Sequence, residues 1–203
     1  MRICYIVFLF AAGCSAYAQK FSPSDTLLVS LKSLDSSFVL DIRYATKNNF
    51  TKQVLYPVAT AKLRRIAAES LAAVQKELKV KKLGLKIFDG YRPLSIQWKL
   101  WNIVPNDDYV ANPAKGSKHN RGAAVDVTII DSLGNELEMP TPYDDFTERA
   151  WQTFEDLPEI QKQNRTLLKT VMMRHGFLPI KSEWWHFDFH GWEQFSILDE
   201  PLE

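Results

Sequence analysis

The sequence predicts an α+β fold, a single domain in which helices flank a central, mainly antiparallel sheet. Segments whose apolar residues recur at helical spacing alternate in blocks with short strand-like runs, and the turn signals between runs favour hairpins. A chain of 203 residues is long enough for one domain with a sizeable hydrophobic core. Hydrophobic residues make up 46% and charged residues 24%, which is typical of a globular protein and excludes a disordered one.

The first half of the chain alternates between predicted strands and helices. Residues 38–44 alternate in part between apolar and polar side chains and are predicted to form a strand. Thr60 is predicted to cap a helix that runs to about Lys79, because apolar residues there follow helical spacing with Lys, Arg and Glu opposite. The remaining elements of this half are a strand at residues 85–88, a turn at 89–93 and a helix at 94–104, for which Pro93 suits the first position.

The second half is predicted to add a hairpin, a long helix and a closing strand. Residues 123–130 are strand-like, and the turn signal after them indicates that residues 136–139 pair back. Residues 158–175 form a predicted helix with Gly176 at its C-cap. The segment at residues 183–189 is predicted to close the sheet with an aromatic strand.

The N-terminus is predicted to be a secretory signal peptide over residues 1–18, which leaves a mature domain over residues 19–203. A basic residue precedes an apolar run at residues 3–12, which is too short for the ~20 residues that a membrane span requires. Ala16-Tyr17-Ala18 matches the A-x-A cleavage pattern, and a competing cut before Cys14 would leave a lipid-anchored cysteine. The sequence therefore predicts an exported protein of the periplasm or cell envelope, with no membrane span.

The positions of the cysteines and the net charge limit the kinds of active site and of partner that the chain can have. Cys4 and Cys14 both lie in the leader, so a chain cut after Ala18 has no disulfide, no thiol nucleophile and no thiolate ligand. A metal site must then be built from His, Asp and Glu. The net charge is +1 with both signs spread along the chain, so no basic patch indicates a nucleic-acid partner.

The stretch from Gly116 to Asp126 carries the first candidate site. It places His119 in a Gly-bounded loop and Asp126 inside the predicted strand, on the same strand face as Ala124 and Thr128. Gly122 and the alanines after it leave room for an ion and its water. The alternative to a metal site is that the histidine lies exposed in a loop and the aspartate is satisfied by hydrogen bonds, with no function for either residue.

A second candidate site follows about sixty residues later, where Glu183 precedes His186 by three positions. In one regular strand these side chains would point to opposite faces, so Glu183 is predicted in the loop before the strand that holds His186. The alternative is that Trp184, Trp185 and Phe187 are core aromatics and the two polar residues are incidental. A Glu and a His buried unpaired among aromatics would be costly, which favours a functional role.

Together the two motifs supply a catalytic zinc set. His119, Asp126 and His186 give three ligands and leave a fourth position for water, whose pKa zinc lowers to about 7. Glu183 remains available to move the proton of that water. The sequence therefore predicts a zinc site at the sheet.

The pattern S-x-H-x-x-G-x-A-x-D followed by E-W-W-H resembles the signature of the D-alanyl-D-alanine dipeptidases, the VanX-type zinc peptidases. The resemblance extends over essentially the whole mature chain, in order. Three neighbouring segments also match: residues 43–46 with 49–51, residues 89–93, and residues 163–165.

The resemblance implies a role for each matching residue. His119, Asp126 and His186 match the zinc ligands, with one Zn²⁺ per chain. Glu183 matches the catalytic base, and Arg92 matches the arginine that stabilises the transition state, for which a planar, permanent cation is suited. The implied substrate contacts come from Ser117, Tyr44 and Asp144.

The implied reaction is zinc-dependent hydrolysis of the D-Ala-D-Ala dipeptide in peptidoglycan precursor or fragment turnover. Asp144 or Asp145 could hold the ammonium of this small peptide, and a backbone amide or the Ser117 hydroxyl its carboxylate. One alternative is a zinc D,D-carboxypeptidase or endopeptidase on longer wall peptides. Another is a non-catalytic zinc-stabilised wall-binding domain, which would need neither Glu183 nor Arg92.

Overall fold

The structure, a computed structural model, describes residues 20–107 and 109–203. The predicted signal peptide at residues 1–18, its Ala18 cleavage site and the possible lipid anchor at Cys14 lie outside the described residues. Within the described ranges, no helix is long and apolar enough to cross a membrane.

The strands of the described residues are short, and most of them form one sheet. In chain order they are β1 (Leu28–Ser30), β2 (Val39–Leu40), β3 (Lys62–Arg64), β4 (Gly84–Asp89), β5 (Ala124–Ile130), β6 (Phe177–Pro179) and β7 (His186–Phe189).

The central sheet has the order β2-β4-β5-β7-β6. The pairs β4–β5, β5–β7 and β6–β7 are antiparallel, and only the edge pair β2–β4 is parallel. Strands β1 and β3 form a separate antiparallel ribbon. The predicted single α+β domain with a mainly antiparallel sheet is confirmed.

Four α-helices flank the strands of the described part: α1 (Leu31–Leu34), α2 (Arg65–Val80), α3 (Leu94–Ile103) and α4 (Glu159–Arg174). Helix α2 contacts β4, and α4 contacts β5, β6 and α2. The buried residues of α2 recur at helical spacing, among them Ala67, Leu71, Val74 and Leu78. Burial of this apolar stripe against the sheet, rather than helix propensity, supplies most of the stability of the helix.

Strand β5 is the centre of the core. All seven of its residues are buried, and β4 and β7 pair with its two edges. Both faces of this strand are therefore covered, and the carboxylate of Asp126, only 3% exposed, must find its partners inside the protein.

Several predicted boundaries were wrong. The helix begins at Arg65 rather than at Thr60, because residues 62–64 pair with β1 as strand β3. The predicted strand at 38–44 is reduced to Val39–Leu40 and a 3-10 turn over Arg43–Ala45. Residues 136–139 pair back only through an isolated bridge between Ile130 and Glu136 and one further backbone hydrogen bond.

The predicted ends of helices α3 and α4 lie within one residue of the observed ends. Pro93 and Pro158 serve as N-caps just outside α3 and α4, rather than as first helical residues. Gly176 follows α4 at φ 83°, a left-handed conformation that glycine adopts without steric cost.

Candidate active site

Two of the predicted ligands face each other across neighbouring strands. Asp126 of β5 and His186 of β7 are direct register partners, so their side chains share one face of the sheet. On the other edge of β5, Asp89 at the end of β4 pairs with Asp126. This register places ionisable side chains from three strands in one row.

His119 reaches the row from a 3-10 turn over His119–Arg121 that ends at Gly122. Gly122 has φ 65°, and a Cβ there would lie 2.7 Å from Leu28 Cδ2, so this sharp turn requires glycine. The Nδ1 atom of His119 lies 2.7 Å from the carbonyl oxygen of Gly90, to which it can only donate. This bond leaves Nε2 with its lone pair facing Asp126 and His186.

The three predicted ligands fit a tetrahedral zinc ion. His186 Nδ1 lies 3.0 Å from Asp126 Oδ1 and 3.2 Å from His119 Nε2, and His119 Nε2 lies 3.5 Å from Asp126 Oδ1. Ligands at the zinc distance of about 2.0–2.1 Å in a tetrahedron are about 3.3 Å apart. All three residues are buried, and they form the one group of three such side chains able to hold a metal within residues 20–107 and 109–203.

Asp126 is ionised in this setting. Burial would raise the pKa of its carboxyl, but His119 and His186 together hold that pKa well below its usual range. Its Oδ2 atom accepts a hydrogen bond from the Tyr143 hydroxyl at 3.0 Å. This contact leaves Oδ1 facing the two histidines.

Glu183 lies in the loop before β7, as predicted, with Oε2 3.8 Å from His186 Nδ1. Trp184 and Trp185 behind it are each 1% exposed, and Gln152 Nε2 donates to the Trp184 carbonyl at 3.3 Å. Burial raises the pKa of Glu183, and Asp126 adds to this, while His186 acts in the opposite direction. A partly buried carboxylate with a raised pKa beside the predicted ligands is well suited to accept a proton.

Arg92 is buried and held by a fixed set of acceptors. Its Nε and Nη2 donate to Asp89 Oδ2 at 3.2 and 2.7 Å, and its Nη1 donates to Gln97 Oε1 at 2.8 Å. Asp89 is itself fixed by the Tyr56 hydroxyl at 2.7 Å. A guanidinium has five N–H donors, so these three bonds do not use all of them, and Arg92 lines the cavity.

A cavity of about 460 Å³ lies over the ligand cluster, and Ser117, Tyr44 and Asp144 all line it. The Ser117 Oγ accepts from the Asn120 backbone N–H at 3.2 Å, so its own O–H remains free to donate. The Tyr44 ring packs 5.1 Å from the Arg92 guanidinium and forms part of the wall.

Asp144 is a carboxylate of the cavity with one oxygen that lacks a hydrogen-bond partner among the described residues. It has φ 61°, and its Oδ2 atom is buried without a hydrogen bond to any described residue. Burial, the largest effect, and the charge on Asp126 raise the pKa of Asp144 to about 8. Asp145, the alternative in the sequence, instead accepts from the N–H and hydroxyl of Thr147 and is absent from the cavity lining.

The sequence prediction missed three residues that hold the site together. Asp89 lies three positions before Arg92, in the matching segment 89–93, but was given no role. Tyr143 lies in a segment that the sequence left unassigned. Asp188 lies two positions after His186, with Oδ1 2.9 Å from His186 Nε2. The two-residue period of a strand could have placed it beside that histidine.

The other two histidines do not line the cavity. His175, predicted only as a helix C-terminal residue, has Nε2 2.9 Å from Glu77 Oε2. The His190 ring packs against Phe189 and Phe21.

Comparison with known proteins identifies the family. A family model described as D-ala-D-ala dipeptidase, Peptidase_M15, matches residues 24–198. The D-alanyl-D-alanine dipeptidase of Escherichia coli is 36% identical over 180 residues, 88% of this chain and 93% of that one. The dipeptidase of Enterococcus faecalis is 30% identical over 185 residues, 79% of this chain and 86% of that one.

Among solved structures, the VanY D,D-pentapeptidase of a VanB-type vancomycin resistance cassette, in complex with Zn(II), has a TM-score of 0.45 and 15% sequence identity. The match covers 68% of this chain and 78% of that one. The assignment rests on the sequence matches, which span most of the chain and agree with the resemblance of its motifs. The chain belongs to the D-ala-D-ala dipeptidase family of peptidases.

Proposed function

We propose that the cavity hydrolyses the D-Ala-D-Ala dipeptide with a zinc ion held by His119, Asp126 and His186. One observation carries the proposal: a single cavity combines a tetrahedral ligand set with Glu183, Arg92 and Asp144, whose buried Oδ2 has no hydrogen-bond partner among the described residues. The family supports the substrate, since the E. coli relative is named a D-alanyl-D-alanine dipeptidase.

Each residue of the site has a separate role in the proposed reaction. Zinc, when bound, supplies Lewis acidity and makes a water acidic at neutral pH. Glu183 accepts the proton of the attacking water and later delivers it to the nitrogen of the leaving D-alanine. The remaining donor capacity of Arg92 stabilises the negative charge that develops on the carbonyl oxygen. Asp89 and Gln97 hold the guanidinium in place, so little reorganisation accompanies the reaction.

The cavity has a complementary group for each end of the dipeptide, the ammonium and the carboxylate. The buried Oδ2 of Asp144 lacks a donor, and the substrate ammonium supplies one. The free O–H of Ser117 donates to the substrate carboxylate, and Tyr44 closes the wall beside Arg92. These contacts favour a zwitterion with both termini free.

We expect one zinc ion per chain. The described residues offer one cluster of three potential ligands, so metal analysis of purified protein should give a zinc-to-chain ratio of about one. His186→Ala should lose the ion, while His175→Ala, remote from the cavity, should keep it. A ratio near two would contradict the single site.

Asp144→Asn should raise KM for D-Ala-D-Ala by about 10–100-fold with little change in kcat, because it removes one charge-assisted hydrogen bond. Protonated Asp144 does not attract the ammonium, and its pKa is raised to about 8. KM of the wild type should therefore fall as pH rises from about 6 to 7.5, below the pH at which the substrate amine deprotonates.

Steady-state kinetics across that pH range test the role of Asp144. Asp145→Asn is the matched control, because its side chain bonds only within its own turn. An unaltered KM in Asp144→Asn would remove this residue from the substrate site.

The two alternative functions are separated by a panel of substrates. Zinc-loaded wild type is assayed with D,D and L,L dipeptides and with a wall pentapeptide. We expect cleavage of D-Ala-D-Ala and little of the others. Equal activity on the pentapeptide would make the protein a carboxypeptidase or endopeptidase, and no alanine release at full zinc occupancy would support a binding domain.

We further propose that the protein is exported and acts in turnover of wall fragments. The basic and apolar leader at residues 1–18 supports export, and an exported enzyme cannot deplete a cytoplasmic precursor pool. Mass spectrometry of the N-terminus from envelope fractions distinguishes a chain starting at Gln19 from one lipidated at Cys14. A full-length cytoplasmic chain would refute export.

A further inference from the structure

The two ring nitrogens of His186 face different groups. Nδ1 lies 3.0 Å from Asp126 Oδ1 and 3.2 Å from His119 Nε2, so this nitrogen points into the ligand cluster. Nε2 lies on the far side of the ring, 2.9 Å from Asp188 Oδ1. A histidine that binds a metal through Nδ1 carries its proton on Nε2 and needs an acceptor there.

Asp188 is built into that position by the sheet. It follows His186 by two residues in β7, so both side chains lie on one face, and its register partner in β5 is the small residue Ala124. The residue is only 7% exposed. A buried carboxylate at this depth must be satisfied, and the hydrogen bond to His186 uses one of its oxygens.

The second oxygen of Asp188 is held from the cavity side. Lys118 Nζ lies 3.5 Å from Asp188 Oδ2 and 5.1 Å from the centre of the Trp192 ring. Lys118 immediately precedes His119 in the chain. The carboxylate is thus held on one side by Lys118, the neighbour of the predicted ligand His119, and on the other side by the ring of the predicted ligand His186.

We propose that Asp188 is a positioning residue that makes His186 a ligand through Nδ1. By accepting the Nε2–H, it selects the tautomer with the lone pair on Nδ1 and fixes the rotation of the ring towards His119 and Asp126. Carboxylates in this position raise the basicity of the histidine, and their loss typically costs 10–100-fold in metal affinity. The inference rests on the proposed zinc function only for the identity of the ion.

A different role for Asp188 would be a purely structural ion pair with Lys118. The two roles predict different behaviour of the metal. In a structural role, removal of the carboxylate lowers the melting temperature and leaves the zinc affinity of the folded chain unchanged. In a positioning role, affinity falls even where the fold is intact, and an asparagine, which still offers an acceptor oxygen to Nε2–H, recovers much of the loss.

The test measures zinc affinity of the full chain by competition with a chromophoric chelator, without substrate. Asp188→Ala should bind zinc about 10–100-fold more weakly than wild type, and Asp188→Asn should lie between the two. Glu77→Gln is the matched control, because Glu77 accepts from His175 at the same 2.9 Å but lies away from the cluster. It should leave the affinity unchanged.

A measurement on the wild type keeps the proposal testable if Asp188→Ala does not fold. In the zinc-loaded protein, long-range ¹H–¹⁵N NMR should show the His186 ring protonated at Nε2 and metallated at Nδ1. The opposite tautomer would overturn the proposal, as would folded Asp188→Ala with wild-type zinc affinity. Both readouts are independent of whether D-Ala-D-Ala is cleaved, so failure of the proposed activity would be recognised separately.

Discussion

Glu183→Gln is expected to lower kcat for D-Ala-D-Ala by about 10²–10⁴-fold, the usual contribution of a general acid–base group. An amide has nearly the same shape as the carboxylate but cannot accept the proton of the water. The loop should keep its position, because Trp184 and Trp185 anchor it in the core. Steady-state kinetics on protein with verified zinc content measure the effect, with zinc occupancy expected to match wild type.

Glu193→Gln is the control for this change, since Glu193 is exposed and absent from the cavity lining. It should retain wild-type kinetics. If Glu183→Gln with full zinc occupancy kept more than a tenth of wild-type kcat, the base would have to be another group of the cavity.

Arg92→Lys is expected to lower kcat by about 10²–10³-fold, the typical cost of one lost oxyanion donor. A lysine can pair with Asp89, but its single ammonium cannot also extend a fork of donors to the carbonyl oxygen. The lysine variant is preferable to Arg92→Ala, which would leave Asp89 buried without its partner and cost about 3–5 kcal/mol of stability. Kinetics and thermal unfolding together separate the two effects.

Arg64→Lys supplies the comparison for Arg92→Lys. Arg64 is also buried, donates to the carbonyl oxygens of Arg121 and Ser196, and does not line the cavity. It should affect stability more than kcat. A kcat near that of wild type in Arg92→Lys would show that the oxyanion is stabilised elsewhere.

The parts of the fold that the sequence predicted are those with long, regular periodicity. The apolar stripe of α2 and the continuous apolar run of β5 each specify one kind of element over many residues. The start of α2 was missed because Leu63 fits helical spacing equally well. Its pairing with Val29 in the β1–β3 ribbon, a contact between distant segments, decides that residues 62–64 are extended.

In the candidate site, too, the residues in short local motifs were predicted, and residues whose contacts depend on the folded structure were missed. His119, Asp126, Glu183 and His186 lie in two short motifs of metal-binding and acid–base residue types, so the sequence was enough to predict that they belong to one site, and the structure places them together. Tyr143 was missed because its hydrogen bond to Asp126 depends on the path of an irregular loop. The burial that leaves Asp144 Oδ2 without a donor is likewise a property of the folded cavity, although the residue itself was predicted from resemblance.

The pairing of Asp126 with His186 across β5 and β7 also bears on how the chain folds. A slip of one residue between these strands would turn one of the two side chains to the opposite face of the sheet. A metal ion that needs both side chains would then bind only the native alignment, and binding to the native state alone stabilises that state. Zinc present during folding would therefore favour the correct strand alignment, so the ion would assist folding before it takes part in catalysis.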